Sequence, residues 1–125
     1  KKFILKQKIS TIKNKNIESY ASAIKITKDN KYVYVTNRGE NTIAVFENNE
    51  KRLKLIQIIS SYGDYPRDIV LNKDEQYAIV ANQKSNNITT FKRNQSNGRL
   101  SIYKEKAIKI EKPSCIVGGK IWIIK

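Results

Sequence analysis

Beyond its first twenty residues the chain runs in short apolar stretches separated by polar, turn-forming clusters. Runs rich in Val, Ile, Tyr and Thr occupy Ala23–Thr27, Lys31–Asn37, Thr42–Phe46 and Leu53–Ile59. A second set follows at Ile69–Leu71, Tyr77–Asn82, Asn87–Phe91 and Leu100–Ile108. Lys28-Asp29-Asn30 and Lys73-Asp74-Glu75 have the chemistry of hairpin turns, as do Asn48-Asn49 and Asn97-Gly98. No segment sustains a 3.6-residue apolar period, so the pattern predicts strands with minimal helix. The runs Tyr32-Val33-Tyr34-Val35 and Ala78-Ile79-Val80-Ala81 are almost continuously apolar. A strand exposed on one face alternates instead, so these sheets are expected to be covered on both faces.

The two sets repeat in register. Shifting Ser22–Phe46 by 45 positions lays it on Arg67–Phe91, so that Asp29 meets Asp74, Tyr32 meets Tyr77, Asn37 meets Asn82 and Asn41 meets Asn86. After a two-residue insertion the match resumes at a shift of 47, where Arg52-Leu53 meets Arg99-Leu100 and Pro66 meets Pro113. Four-stranded units at this period, covered on both faces by their neighbours, describe blades of a β-propeller, with a sandwich the weaker reading. The expected fold is therefore all-β: two four-stranded antiparallel blades over residues 20–65 and 66–112, a partial third unit over 113–125, and flanking strand before residue 20. Rings close with about 4–8 blades. The 125 residues supply fewer than three, so the expected ring is incomplete, and its open blade faces should meet further blades or another copy of the chain.

Composition narrows the chemistry. Histidine is absent, which excludes a Ser-His-Asp triad, a Cys-His pair and His-ligated zinc within these residues. The lone Cys115 excludes an internal disulfide or CxxC site and fits a reducing, cytoplasmic setting. No apolar run approaches the ~20 residues of a membrane span, and Phe3-Ile4-Leu5 is too short for a signal peptide. The chain does not begin with Met and reads as part of a longer one. The net charge of +14 rests largely on twenty Lys, in a chain that also holds twenty Ile and thirteen Asn. The lysines are scattered rather than gathered on a stripe interleaved with aromatics, so neither nucleic acid nor membrane is the expected partner. An anionic small molecule still gains from such a field.

Strand direction alternates within a blade, so the loops after the second strand and the connections into the next blade share one face. Asn37-Arg38-Gly39-Glu40, Tyr65-Pro66-Arg67-Asp68 and Asn82-Gln83 all fall there. Arg38 and Arg67 converge on this face, whereas Arg52, Arg93 and Arg99 flank other turns and read as solvated charges. A guanidinium so placed suits gripping an anion or polarising a carbonyl. An Arg38–Asp68 ion pair between blades fits the spacing equally well. Cys115 is expected to be a small buried apolar residue and Trp122 packed apolar surface. Gly118-Gly119 is too weak a motif for a phosphate loop, and Asp29 and Asp74 are expected to shape their turns.

The segments Ser22–Gly39, Thr42–Phe46, Gly63–Asp68, Val80–Gln83 and Pro113–Val117 resemble the lactonase family of seven-bladed β-propellers, which includes propeller-type 6-phosphogluconolactonases and carboxymuconate cyclases. The resemblance covers about residues 20–117 and lies at the C-terminal end of the family domain, which makes Phe3–Ile12 an outer strand of the preceding blade. It implies hydrolysis of a sugar lactone, foremost 6-phosphogluconolactone to 6-phosphogluconate in the pentose phosphate pathway, without metal or cofactor. On this sequence it assigns Arg38 and Arg67 as catalytic cations with Asp68 orienting one of them, and Asn37, Glu40, Asn82 and Gln83 as substrate-binding groups. Family members often carry His where this chain has Glu40. The preceding blade, which in the family carries histidine and glutamate thought to matter for activity, is absent, so the general base is expected outside the segment, with Glu40 a conceivable substitute. A muconolactone-type intramolecular lyase and a non-catalytic ligand-binding propeller are the rival functions.

Overall fold

A computed structural model describes residues 2–118 and 122–125, the Trp122 side chain excepted; the expectations for Gly119 and for packing of the Trp122 ring lie outside it. The first sheet is β1 (Tyr20–Ile26), β2 (Tyr32–Arg38), β3 (Thr42–Asn48) and β4 (Leu53–Ser60), antiparallel in the order β1-β2-β3-β4. The second repeats it with β5 (Pro66–Leu71), β6 (Tyr77–Asn82), β7 (Asn87–Arg93) and β8 (Leu100–Ile102). β9 (Ile108–Lys109) also pairs with β7, and β10 (Cys115–Val117) forms a hairpin with β11 (Trp122–Ile124). The fold is an open array of propeller blades.

The turns show why the repeat folds alike. In the β1–β2 turn the Asp29 carboxylate accepts from Thr27 Oγ1 (2.5 Å) and the Lys31 amide (3.0 Å). In the β5–β6 turn Asp74 accepts from Asn72 Nδ2 (2.7 Å) and the Gln76 amide (3.2 Å). Asn30 and Glu75, 45 positions apart, both adopt positive φ, at 62° and 57°. Asp29 and Asp74 thus do the turn-forming work expected of them.

Alternation along β2 and β3 sends side chains to two cores. Tyr32, Tyr34, Ile43 and Val45 pack with Ile69, Ala78, Val80, Phe91 and Leu100 of the second sheet. Val33, Val35, Ala44 and Phe46 face the other way. The second sheet presents Ala81 and Ile88 to Ile116 on β10. Both faces of the central strands are covered, as their continuous apolar runs require.

Polar bonds fix the spacing between sheets. Gln57 donates to the Leu100 carbonyl (2.9 Å) and accepts from its amide (2.8 Å). Gln7 makes the same two-bond clamp on Leu53, at 2.9 and 2.6 Å, and Leu53 is the repeat counterpart of Leu100. Residues 2–19, expected to include an outer strand at Phe3–Ile12, pair in no ladder among the described residues. The N-terminal segment nonetheless approaches the first sheet as β4 approaches the second.

Two expectations change. Leu100–Ile108 is not one strand. More residues lie there than the seven of β7 can oppose, so the chain leaves the ladder after Ile102, makes a 3₁₀ turn at Lys104–Lys106 and rejoins at Ile108. Arg93 is not solvated: it is 9% exposed. Its Nε donates to the Glu75 carbonyl (2.6 Å), and its Nη1 reaches the Tyr34 hydroxyl of the first sheet (3.5 Å). Arg52 and Arg99 are exposed as expected.

Candidate functional site

Residues 61–65, which link the sheets, are held between the β2–β3 and β6–β7 loops. Asn41 Oδ1 accepts from the Tyr65 amide (2.9 Å), and Asn41 Nδ2 donates to Asp64 (2.9 Å). From the other side the Gln83 amide donates to the Tyr65 carbonyl and the Lys84 amide to that of Asp64, both at 3.1 Å. Ser85 Oγ accepts from the Asp64 amide (2.7 Å). Three loops expected on one face are therefore hydrogen-bonded into one surface.

Arg38, Tyr65, Arg67, Gln83 and Lys84 stand on it. Arg38 ends β2 half-buried; its Nη1 donates to the Tyr65 hydroxyl at 3.4 Å and its guanidinium carbon lies 5.2 Å from the ring centre. Lys84 Nζ lies 4.1 Å from the same ring centre. Arg67, exposed on β5, donates from Nη1 to Gln83 Oε1 at 3.4 Å. Cation–ring contacts of this kind contribute ~0.5–1 kcal/mol each at exposed sites. Among the described residues no carboxylate is hydrogen-bonded to Arg38, Arg67 or Lys84, and the last two are exposed.

The other sequence candidates are scaffold. Asp68 does not pair with Arg38 or orient either arginine. Its Oδ1 accepts from the Ile69 amide and its Oδ2 from the Ile116 amide, both at 2.9 Å, so it ties β10 to the second sheet. Asn37 and Asn82 do not line an open mouth, for both are fully buried. Asn37 Nδ2 donates to the Thr11 carbonyl (2.7 Å) and Thr42 Oγ1 (3.1 Å), and its Oδ1 accepts from Thr11 Oγ1 (2.7 Å). Asn82 Nδ2 donates to Thr89 Oγ1 (3.1 Å), and its Oδ1 has no partner. Cys115 is half-buried rather than enclosed.

Glu40 makes a poor base. Its carboxylate accepts from the amides of Lys13 (2.9 Å) and Asn14 (2.7 Å) and from Thr42 Oγ1 (2.8 Å). Partial desolvation pushes its pKa up, but the two amides, the Thr42 hydroxyl and the Lys13 charge together outweigh that and hold it below the usual value.

Nothing in the sequence pattern alone marks Tyr65 or Lys84 as functional. Tyr65 immediately precedes Pro66-Arg67-Asp68, and Lys84 occupies the repeat position of Gly39. A comparison of the two units for differences, rather than identities, sets Lys84 apart. No group of three or more His, Cys, Asp or Glu with metal-holding geometry occurs among the described residues, and none of their helices is long and apolar enough to cross a membrane.

A family model described as lactonase, 7-bladed β-propeller, matches residues 1–118. The chain is 35% identical over 100 residues to a 6-phosphogluconolactonase of Bacillus subtilis, covering 78% of this chain and 28% of that protein. A crystal structure of a Lactobacillus plantarum protein superimposes with a TM-score of 0.81 at 32% identity, over 94% of this chain and 33% of that one. A putative 6-phosphogluconolactonase from Bacteroides fragilis gives 0.71 at 28% identity, over 84% and 28%. The chain thus spans about a third or less of these relatives.

Proposed function

Because the chain belongs to the lactonase family of seven-bladed β-propellers, we propose that it forms part of a cytoplasmic sugar-lactone hydrolase acting on 6-phosphogluconolactone. The relative from Bacillus subtilis supports the substrate. The observation that carries the reading is the loop face on which Arg38, Arg67 and Lys84 converge without carboxylate partners.

In the reaction water adds to the lactone carbonyl, the ring C–O bond breaks, and a carboxylate and a free hydroxyl result. Negative charge grows on the carbonyl oxygen as water adds, and a guanidinium aimed there stabilises it. Arg67 is suited to this role: it is exposed, and Gln83 steadies one of its nitrogens (3.4 Å). The two acids that the sequence marks, Asp68 and Glu40, do not serve as the proton acceptor. Asp68 is occupied by two amides and Glu40 by two amides and a hydroxyl. We assign the base to residues outside this segment.

The test is hydrolysis of 6-phosphogluconolactone by the full protein, at a pH low enough to suppress the spontaneous reaction. The reading predicts turnover above background and its loss in Arg67→Ala. Absence of turnover, or full activity in Arg67→Ala, overturns it. Turnover of a muconolactone instead favours the lyase.

A further inference from the structure

Tyr65 holds φ at 64°, a left-handed conformation disfavoured for a residue with a side chain. Both neighbouring loops keep it there, through Asn41 Oδ1 on its amide (2.9 Å) and the Gln83 amide on its carbonyl (3.1 Å). The ring is thereby placed under two cations from different blades, Arg38 and Lys84. Arg38 Nη1 donates to the phenol oxygen at 3.4 Å, which leaves the phenolic proton free to donate elsewhere. Arg38 Nε, shielded from solvent, has no partner at all. Two positive side chains thus lie against one ring beside its phenolic O–H, and no carboxylate among the described residues is hydrogen-bonded to any of the three.

We propose that Arg38, Tyr65 and Lys84 form a seat for the phosphate monoester of the substrate, and that Lys84 makes the site prefer phosphorylated to unphosphorylated sugar lactones. The seat deepens the lactonase reading and rests on it for the identity of the ligand. A phosphate dianion presents three strong acceptor oxygens, matched here by a guanidinium, an ammonium and a phenolic O–H. Gln83 and Lys84 are adjacent, so one loop holds Arg67 with its first residue and reaches the phosphate with its second. The carbonyl end and the phosphate end of one ligand are thus addressed from the same turn.

The experiment is a calorimetric titration of the full protein with 6-phosphogluconate, inorganic phosphate and gluconate, repeated for Lys84→Gln, Lys84→Arg and Tyr65→Phe. The expected result is binding of both phosphate-bearing ligands, with gluconate at least roughly tenfold weaker. Lys84→Gln should weaken 6-phosphogluconate by roughly tenfold and leave gluconate unchanged, while Lys84→Arg restores most of the affinity. Tyr65→Phe, which keeps the ring, should weaken it a few-fold. Unchanged affinity in Lys84→Gln, equal binding of gluconate and 6-phosphogluconate, or no rescue by arginine overturns the seat. Turnover separates this failure from that of the wider reading. If the full protein hydrolyses phosphorylated and plain gluconolactone alike, with or without Lys84, the seat is wrong and the lactonase stands. If phosphate binding depends on Lys84 but no lactone is opened, the seat stands and the lactonase is wrong.

Discussion

The first and second blades carry the same framework and different chemistry. Asp29 and Asp74 shape equivalent turns, Asn37 and Asn82 are equivalently buried, and Gln7 and Gln57 clamp equivalent leucines. The cations of the candidate site all stand where the repeat breaks. Arg38 lies opposite Gln83, Arg67 opposite Ser22 and Lys84 opposite Gly39. The neutral partner in each pair serves structure or supports its neighbour. Ser22 Oγ donates to the Pro66 carbonyl (2.6 Å), and Gly39 passes against the backbone of Glu18 and Ser19. Positions that agree between blades hold the fold, and positions that disagree are the ones free to bind.

The position shared by Gly39 and Lys84 gives the largest expected contrast. Gly39 has φ 104°, and a Cβ there would overlap the carbonyl oxygen of Glu18. Gly39→Ala should therefore destabilise the chain by about 3 kcal/mol, combining backbone strain with overpacking. Lys84→Ala, at the same place in the next blade, should cost no more than about 1 kcal/mol, the worth of its ring contact. Urea denaturation of the two variants checks this, and equal losses would break the comparison.

Asn37 and Asn82 give a smaller contrast. Asn37 spends both ends of its amide, whereas Asn82 leaves its oxygen without a partner. Asn37→Ala should cost about 2–3 kcal/mol, partly through the partners it strands at Thr11, and Asn82→Ala about 1 kcal/mol. A larger loss at Asn82 would mean that its oxygen is satisfied in solution.

The smallest effect is a pH dependence confined to the first blade. The folded state lowers the pKa of Glu40 below 4.5, so its contribution is fully present above that value and lost as pH falls through the depressed one. Glu40 is only partly buried, so solvent screening keeps the stabilisation small. The stability of Glu40→Gln relative to the parent should improve between about pH 4.5 and pH 3, measured by thermal melts. Ser85, the counterpart of Glu40, has no charge to titrate, and Ser85→Ala should show no such trend.

Much of this fold is legible in the sequence because it is written twice. Tyr32 over Tyr77 and Asn41 over Asn86 report a period, and a period of that length with covered strands leaves few architectures. The break in the outer strand at residues 103–107 was hidden, since Leu-Ser-Ile-Tyr and Ala-Ile-Lys-Ile look continuous until their length is set against β7. Arg93 has polar neighbours in sequence, while its partners are Tyr34 on β2 and Glu75 in the β5–β6 turn. The site was legible only as a face. Arg38 and Arg67 follow from strand direction, but the role of Asp68 depends on the amide of Ile116, 48 residues away. Tyr65 and Lys84 meet only once two loops have closed on the same link.

The claim that chemistry lies where the repeat breaks is tested most directly by writing the other blade's residues onto the site. A variant carrying Arg38→Gln, Arg67→Ser and Lys84→Gly keeps every framework pair and should retain the strand signature of the parent in circular dichroism. Its affinity for 6-phosphogluconate, measured by calorimetry, should fall at least roughly a hundredfold. A folded triple variant that binds 6-phosphogluconate as the parent does would contradict the account.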